Sequence, residues 1–199
     1  QLLEEQDLPP ESREYASALE HQAEKLRFLI DALVKTSRLE SGVLAMTPKR
    51  HGIQQLLDTA SAQAAPGAEA KAITLTVEPT DLTARFDPKW TAEALYKLVD
   101  NAVKYTPAGG AVTLRAVGYE LFCRVDVTDT GPGIPESEQA RIFQRFYRSP
   151  SASEAEGVGI GLYLARQIAA GQGGYLKVSS RPGEGSTFSL FLPRAEERT

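Results

Sequence analysis

"DVTDTGPGIP", residues 126–135, decides how this chain is read. It ends a run, "ELFCRVDVTD" at 120–129, in which apolar and polar residues alternate as they do along a strand. Asp129 closes that run, and two glycines and two prolines follow within six residues. Gly131 and Gly133 remove side chains where the chain must bend or where something must come close. A carboxylate at a strand end only accepts hydrogen bonds when ionised, which suits an exocyclic amine. A plain turn leading into a helix at Pro135 explains the same letters, so the decision rests on what surrounds them.

Working outward, strands and helices alternate. Residues 53–65 carry an amphipathic helical pattern, "ITLTVE" and "LTARFD" read as strands, and a helix over 88–105 has Pro88 in its first turn. "AVTLRAVGYE" pairs naturally with the 120–129 run as a hairpin. A short helix is expected over 136–143, then a polar loop, "SPSASEAE". A glycine-led helix over 161–170 and two closing strands, "GYLKVSS" and "STFSLFLP", complete the chain. The expected class is α+β, a two-layer sandwich in which a mixed or mostly antiparallel sheet carries helices on one face.

The first part of the chain has a different period. From residue 11 to about 44 the only glycine is Gly42, and Leu19, Leu26 and Leu33 recur every seven residues with Ala23 and Ile30 between them. That predicts a helix about 45 Å long with a narrow apolar stripe. One stripe cannot bury itself, so a partner helix is expected.

Composition sets outer limits. With 42% hydrophobic and 24% charged residues the chain reads as a globular domain. A net charge of −4 gives no general attraction to nucleic acid. Cys123 is the only cysteine, so no internal disulfide forms, and its apolar strand marks it as a packing residue. No apolar run approaches the roughly 20 residues of a membrane-spanning helix.

Three further motifs stand at element ends. In "ALYKLVDNAVKYTP", residues 94–107, Asn101, Lys104 and Tyr105 share a helix face. An amide oxygen there can ligate Mg²⁺ and the lysine can meet phosphate, although a solvated polar stripe has the same spacing. "GVGIGL", residues 157–162, presents bare backbone amides at a helix start, which favours anions. It is neither G-x-G-x-x-G nor a P-loop. "GEGSTFSLFLP", residues 183–193, reads alone as a glycine turn and a strand.

Taken in order, these four motifs resemble the N, G1, G2 and G3 boxes of sensor histidine kinases, and "RIFQRFYR" is similar to that family's F box through Phe143, Phe146 and Arg148. The resemblance spans roughly 50–193 and implies the Bergerat-type ATP-binding fold shared with DNA gyrase, heat-shock chaperones and mismatch-repair ATPases. The leading helix resembles the second helix of the family's dimerisation and phosphoacceptor hairpin, above all in "LIDALVKTSRLESG". The implied division is residues 1–45 as the end of that hairpin and 46–199 as the catalytic domain.

Carried over residue by residue, the resemblance implies ATP and Mg²⁺ as ligands. Asn101 is then the metal ligand, Lys104 and Arg148 meet phosphate, and Tyr105 lies against adenine. Asp129 accepts the adenine amine, with Ile134 near the ring and Thr187 supporting the adenine side, through water. Gly131 and Gly133 admit the nucleotide. Gly159 and Gly161 line the triphosphate, Gly157 and Leu162 belong to the same nucleotide site, and 149–156 forms a lid over it. A homodimer through the first helix, a response-regulator receiver domain as partner and a cytoplasmic location beneath a membrane-anchored sensor region are also implied.

Two positions depart from the family pattern. The residue four before Asn101 is usually asparagine, and here it is Lys97, which donates but does not ligate metal. The acceptor histidine is followed in the family by an acidic residue, a basic residue and a Thr/Asn-Pro pair; neither His21 nor His51 has that context. His21 reads as a helix-surface residue and His51 as a loop residue. "QLLEEQDLPPE" resembles the end of the hairpin's first helix, which places the expected histidine upstream. A degenerate nucleotide-binding or dimerisation module, and a serine kinase or ATPase of the same fold, are the alternatives.

Overall fold

The computed structural model describes residues 9–40, 46–149 and 158–195. A long helix, α1 (Pro10–Glu40), leads into an α+β sandwich. In order come β1 (Lys49–Gly52), α2 (Ile53–Ala70), β2 (Thr74–Val77), β3 (Thr83–Phe86), α3 (Pro88–Tyr105), β4 (Ala111–Gly118) and β5 (Phe122–Asp129). Then follow α4 (Glu136–Gln139), a 3-10 turn at Arg141–Phe143, α5 (Gly161–Ala170), β6 (Tyr175–Arg181) and β7 (Gly185–Pro193).

The main sheet has the order β2-β4-β5-β7-β6, with β2 parallel to β4 and every other pair antiparallel. This is the expected mixed sheet. Alternate residues of its strands, Leu114, Val125, Val127, Phe188 and Leu190, are buried beneath α2, α3 and α5. Leu57, Leu95, Leu98, Val99, Leu164 and Ile168 meet them from the helices. Burying such side chains stabilises a fold by roughly 1.5–3 kcal/mol each. Cys123 lies in this core, and burial pushes its thiol up to about 11, as befits a packing residue.

α3 starts where Asp87 caps it: Oδ1 accepts from the Lys89 and Trp90 amides, and Pro88 occupies the first turn. Oδ2 accepts from the amide and hydroxyl of Thr47. Buried Gln172, beyond α5, accepts from the Asp87 amide and donates to Thr91 and to the Ile168 carbonyl. One network therefore fixes the chain before β1, the start of α3 and the end of α5 together.

Several boundaries differ from expectation. α2 runs on to Ala70, through Pro66, because Ala64 and Ala68 are buried and Gly67 lies against Val103 of α3. The helix expected over 136–143 is one α turn followed by a 3-10 turn. His51 is in a strand, not a loop: β1 pairs with β3, and the imidazole tilts over Phe86 at 5.3 Å. α1 matches its expected start, and residues 41–45 lie outside the described part. Its stripe is uncovered, with Leu19 70% and Leu26 59% exposed. Near its end Lys35 meets Glu93 of α3 at 2.6 Å. No described helix is long and apolar enough to cross a membrane.

Candidate functional site

A cleft of about 920 Å³ opens between α3 and the start of α5. Its floor is formed by the end of β5 and the facing part of β7, through Asp129, Ser186 and Phe188. One wall is a face of α3 carrying Lys97, Asn101, Lys104 and Tyr105. The opposite wall contains Gly159, Ile160, Gly161 and Leu162, and Arg148 and Ser149 stand at the rim. The long helical spacing of the α3 residues and the short loop before α5 are thus brought to one place by the packing of the two helices.

Asp129 is 6% exposed. Its Oδ1 accepts from the Gly131 amide at 2.8 Å and the Ser186 amide at 3.2 Å. Burial pushes its carboxyl above the ordinary value, and the two amides pull it partly back. No hydrogen bond from the described residues reaches Oδ2, so the acid keeps an acceptor for the cleft. Asp129 lines the cleft, where the donor of a ligand can reach that oxygen.

The turn after Asp129 is held from behind. The Ile134 amide donates to Ser180 Oγ at 2.8 Å, and Gln139 Nε2 donates to the Ile134 carbonyl at 3.0 Å. Gly183 donates to the Pro132 carbonyl. Gly133 has φ +74°, and a Cβ there would stand 2.0 Å from the Arg181 carbonyl oxygen. The glycine is required by close approach of β6, not by the size of anything in the cleft. Gly131 likewise sits behind Asp129, supplying an amide to its carboxylate. Gly159, at φ +75°, permits contact with the Tyr147 carbonyl, joining the two ends of the segment between them.

Asn101, Lys104, Tyr105, Arg148, Asp129, Gly133, Ile134, Gly159, Gly161 and Leu162 all line the one cleft. Gly157 and residues 150–156 of the expected lid lie outside the described residues. Thr187 is a correction. It pairs with Thr128 on the other face of the sheet, at 3.1 Å between hydroxyls, while Ser186 and Phe188 face the cleft. The strand period of two makes a one-residue error a change of face.

Sequence reading missed other contributors. Lys71 lines the cleft and donates to the Val103, Lys104 and Thr106 carbonyls at 2.9, 2.8 and 2.6 Å, closing the C-terminus of α3. Its partners are more than thirty residues away, so no local pattern announces it. The Tyr147 hydroxyl is buried at the cleft without a partner among the described residues. Burial pushes the Tyr105 hydroxyl up, with Arg148 nearby acting the other way. Asp100 also lines the cleft and accepts from Tyr96.

Comparison with known proteins agrees with this fold. Residues 86–196 match the model of the family described as histidine kinase-, DNA gyrase B-, and HSP90-like ATPase. The sensor protein DivL of Caulobacter vibrioides is 34% identical over 200 residues, covering 99% of this chain and 26% of DivL. The circadian input-output histidine kinase CikA of Synechococcus elongatus is 33% identical over 192 residues, covering 94% of this chain and 26% of CikA. The chain therefore spans about a quarter of the length of these relatives. Among solved structures, full-length ShkA in complex with AMPPNP superposes with a TM-score of 0.81 at 28% identity, covering 97% of this chain and 41% of ShkA.

Proposed function

Because the chain belongs to the family of histidine kinase-, DNA gyrase B- and HSP90-like ATPases, we propose that it binds Mg·ATP and serves as the catalytic part of a sensor histidine kinase. The observation that carries the reading is Asp129, a buried carboxylate with one oxygen that takes no hydrogen bond from the described residues, at the floor of a cleft lined by Lys104 and Arg148. That oxygen accepts the adenine amine, with Ile134 and Tyr105 beside the ring. Lys104, Arg148 and the backbone of 159–161 face the phosphates.

Mg²⁺ fits this donor set as a passenger on the triphosphate. No group of three His, Cys, Asp or Glu side chains lies together among the described residues. Asn101, which lines the cleft, would hold it, since a cation that arrives on phosphates needs few protein ligands. When bound it neutralises charge on the transferring phosphoryl group. The protein's own part is positioning. A histidine nitrogen outside this chain forms the new P–N bond as the bond to the ADP oxygen breaks, and the phosphoryl group then passes to an aspartate of a response regulator.

Residues 1–45 act in this reading as the end of the dimerisation hairpin and 46–199 as the catalytic domain. The uncovered stripe of α1 supports pairing with a second copy. The sensor region that anchors the protein to a membrane lies outside the chain, and the domain works in the cytoplasm. Calorimetry with ATP and GTP tests the nucleotide step: selective ATP binding is expected, and equal or absent binding refutes the adenine assignment. Lys97 favours one second reading, a module that holds nucleotide with little turnover. Labelled phosphate from γ-labelled ATP appearing on histidine of the longer polypeptide separates the two.

A further inference from the structure

Lys71 lines the cleft, but its ammonium is engaged by the protein. An ammonium has three N–H donors, and three carbonyls, those of Val103, Lys104 and Thr106, stand at 2.9, 2.8 and 2.6 Å. The donor count closes, so Lys71 has nothing left for a ligand. These carbonyls belong to the last turn of α3 and its C-cap, where a helix leaves C=O groups without intrahelical donors and its dipole is negative. One side chain from the end of α2 satisfies three of them.

The backbone around Lys71 is shaped for this reach. Lys71 is the C-cap of α2, and the Ala72 and Ile73 amides turn back to the Glu69 and Ala68 carbonyls at 3.0 and 2.8 Å. That turn puts Ala72 at φ +51°, a left-handed conformation that an alanine adopts only at a cost. The Lys71 carbonyl accepts from the Gly109 amide at 3.1 Å, and the Thr74 amide donates to the Gly110 carbonyl at 2.9 Å. Residues 71–74 thus grip the chain from 103 to 110 through side chain and backbone alike.

The gripped span carries part of the site. Lys104 and Tyr105 lie within it, with the Lys104 ammonium 5.3 Å from the centre of the Tyr105 ring. The Tyr105 carbonyl backs onto the turn beside Asp129: a Cβ on Gly131 would stand 3.3 Å from its oxygen. Gly131 supplies the amide that Asp129 Oδ1 accepts at 2.8 Å. A shift in the last turn of α3 therefore disturbs Lys104, Tyr105 and the floor of the cleft together.

We propose that Lys71 is a positioning residue of the nucleotide site: it touches no ligand itself, and by holding the last turn of α3 it sets where Lys104 and Tyr105 stand and how the turn after Asp129 runs. The inference rests on the nucleotide-binding reading above. Its consequence is that affinity for the adenine half of the ligand depends on a side chain from α2 that makes no contact with it.

The test is calorimetry of the whole chain with adenosine and with AMPPNP, at a temperature where a melt shows each protein folded. The proteins are wild type, Lys71→Met, Lys71→Gln and Leu192→Val. Lys71→Met keeps the apolar stem without donors, and Lys71→Gln is shorter and offers two N–H groups. Leu192→Val trims the core at the opposite end of β7 from Ser186. Lys71→Met is expected to bind both ligands about tenfold more weakly, the equivalent of one lost hydrogen bond, with Lys71→Gln between it and wild type. Leu192→Val binds like wild type. Wild-type adenosine affinity in Lys71→Met, or in Lys71→Gln where only that variant folds, overturns the inference while the nucleotide reading stands. A loss confined to AMPPNP overturns it as well, because Lys71 then meets phosphate directly. An equal loss in Leu192→Val overturns it too, since affinity then follows stability. Wild type that binds neither ligand refutes the nucleotide reading and this inference with it.

Discussion

Replacing Asp129 by asparagine tests the adenine assignment most directly. The side chain is almost isosteric, and its carbonyl oxygen can still accept from the Gly131 and Ser186 amides at 2.8 and 3.2 Å. The group facing the cleft then becomes an NH₂, a donor aimed at the donor of an adenine amine. If the amide flips instead, the NH₂ confronts two backbone donors. Either way one charge-assisted hydrogen bond is lost, about 1.5–3 kcal/mol, or ten- to a hundredfold in Kd. The fold should not suffer. The folded pKa of Asp129 is raised, so its stabilising contribution is full below the unfolded value of 3.8 and is lost as pH rises through the folded value. At neutral pH the ionised acid is therefore a cost that asparagine removes, and Tm is expected to hold or rise. Calorimetry with ATP and a thermal melt measure the two effects. Unchanged ATP affinity with an intact melt refutes the assignment of Asp129 to adenine. Wild-type affinity for adenosine should also fall on acidification, beginning above pH 3.8 as the carboxyl protonates.

Three other changes probe the frame of the site. Lys71→Met removes the donor to three carbonyls at the end of α3; a loss of about 2 kcal/mol is expected, lowering Tm by about 4–8 °C, and an unchanged melt contradicts the capping role. Gly133→Ala forces a Cβ to within 2.0 Å of the Arg181 carbonyl at a positive φ, so chemical denaturation should show a loss above about 2 kcal/mol; a neutral outcome means that β6 does not approach the turn so closely. Leu26→Glu places a charge in the uncovered α1 stripe and should abolish concentration-dependent self-association in sedimentation velocity; a wild type that is monomeric at every concentration argues against pairing through this stripe.

The residues on α3 were legible because helical spacing alone puts Asn101, Lys104 and Tyr105 on one face. Asp129 was legible as a strand end, and the glycine positions as places without side chains. The reason for those glycines was not. Gly133 and Gly159 make room for the Arg181 and Tyr147 carbonyls, so both serve contacts between distant parts of the chain. Thr187 was misassigned because the letters around a glycine turn do not say which residue of the following strand faces inward. Pairing with Thr128 settles it. β1 escaped notice because four residues carry too little alternation, and its partner β3 lies beyond α2.

Local features are thus written in the letters: most of the helices and strands, the polar residues at their ends, and the order of four motifs that identifies the family. Which oxygens and amides meet depends on how distant elements pack. Asp129 takes its amides from Gly131 and Ser186, Lys71 closes a helix more than thirty residues on, and Lys97 lies against the start of α5. Spacing along one helix or strand is set by backbone geometry. Contacts between elements are set by how the whole core packs, and no short window of sequence contains that.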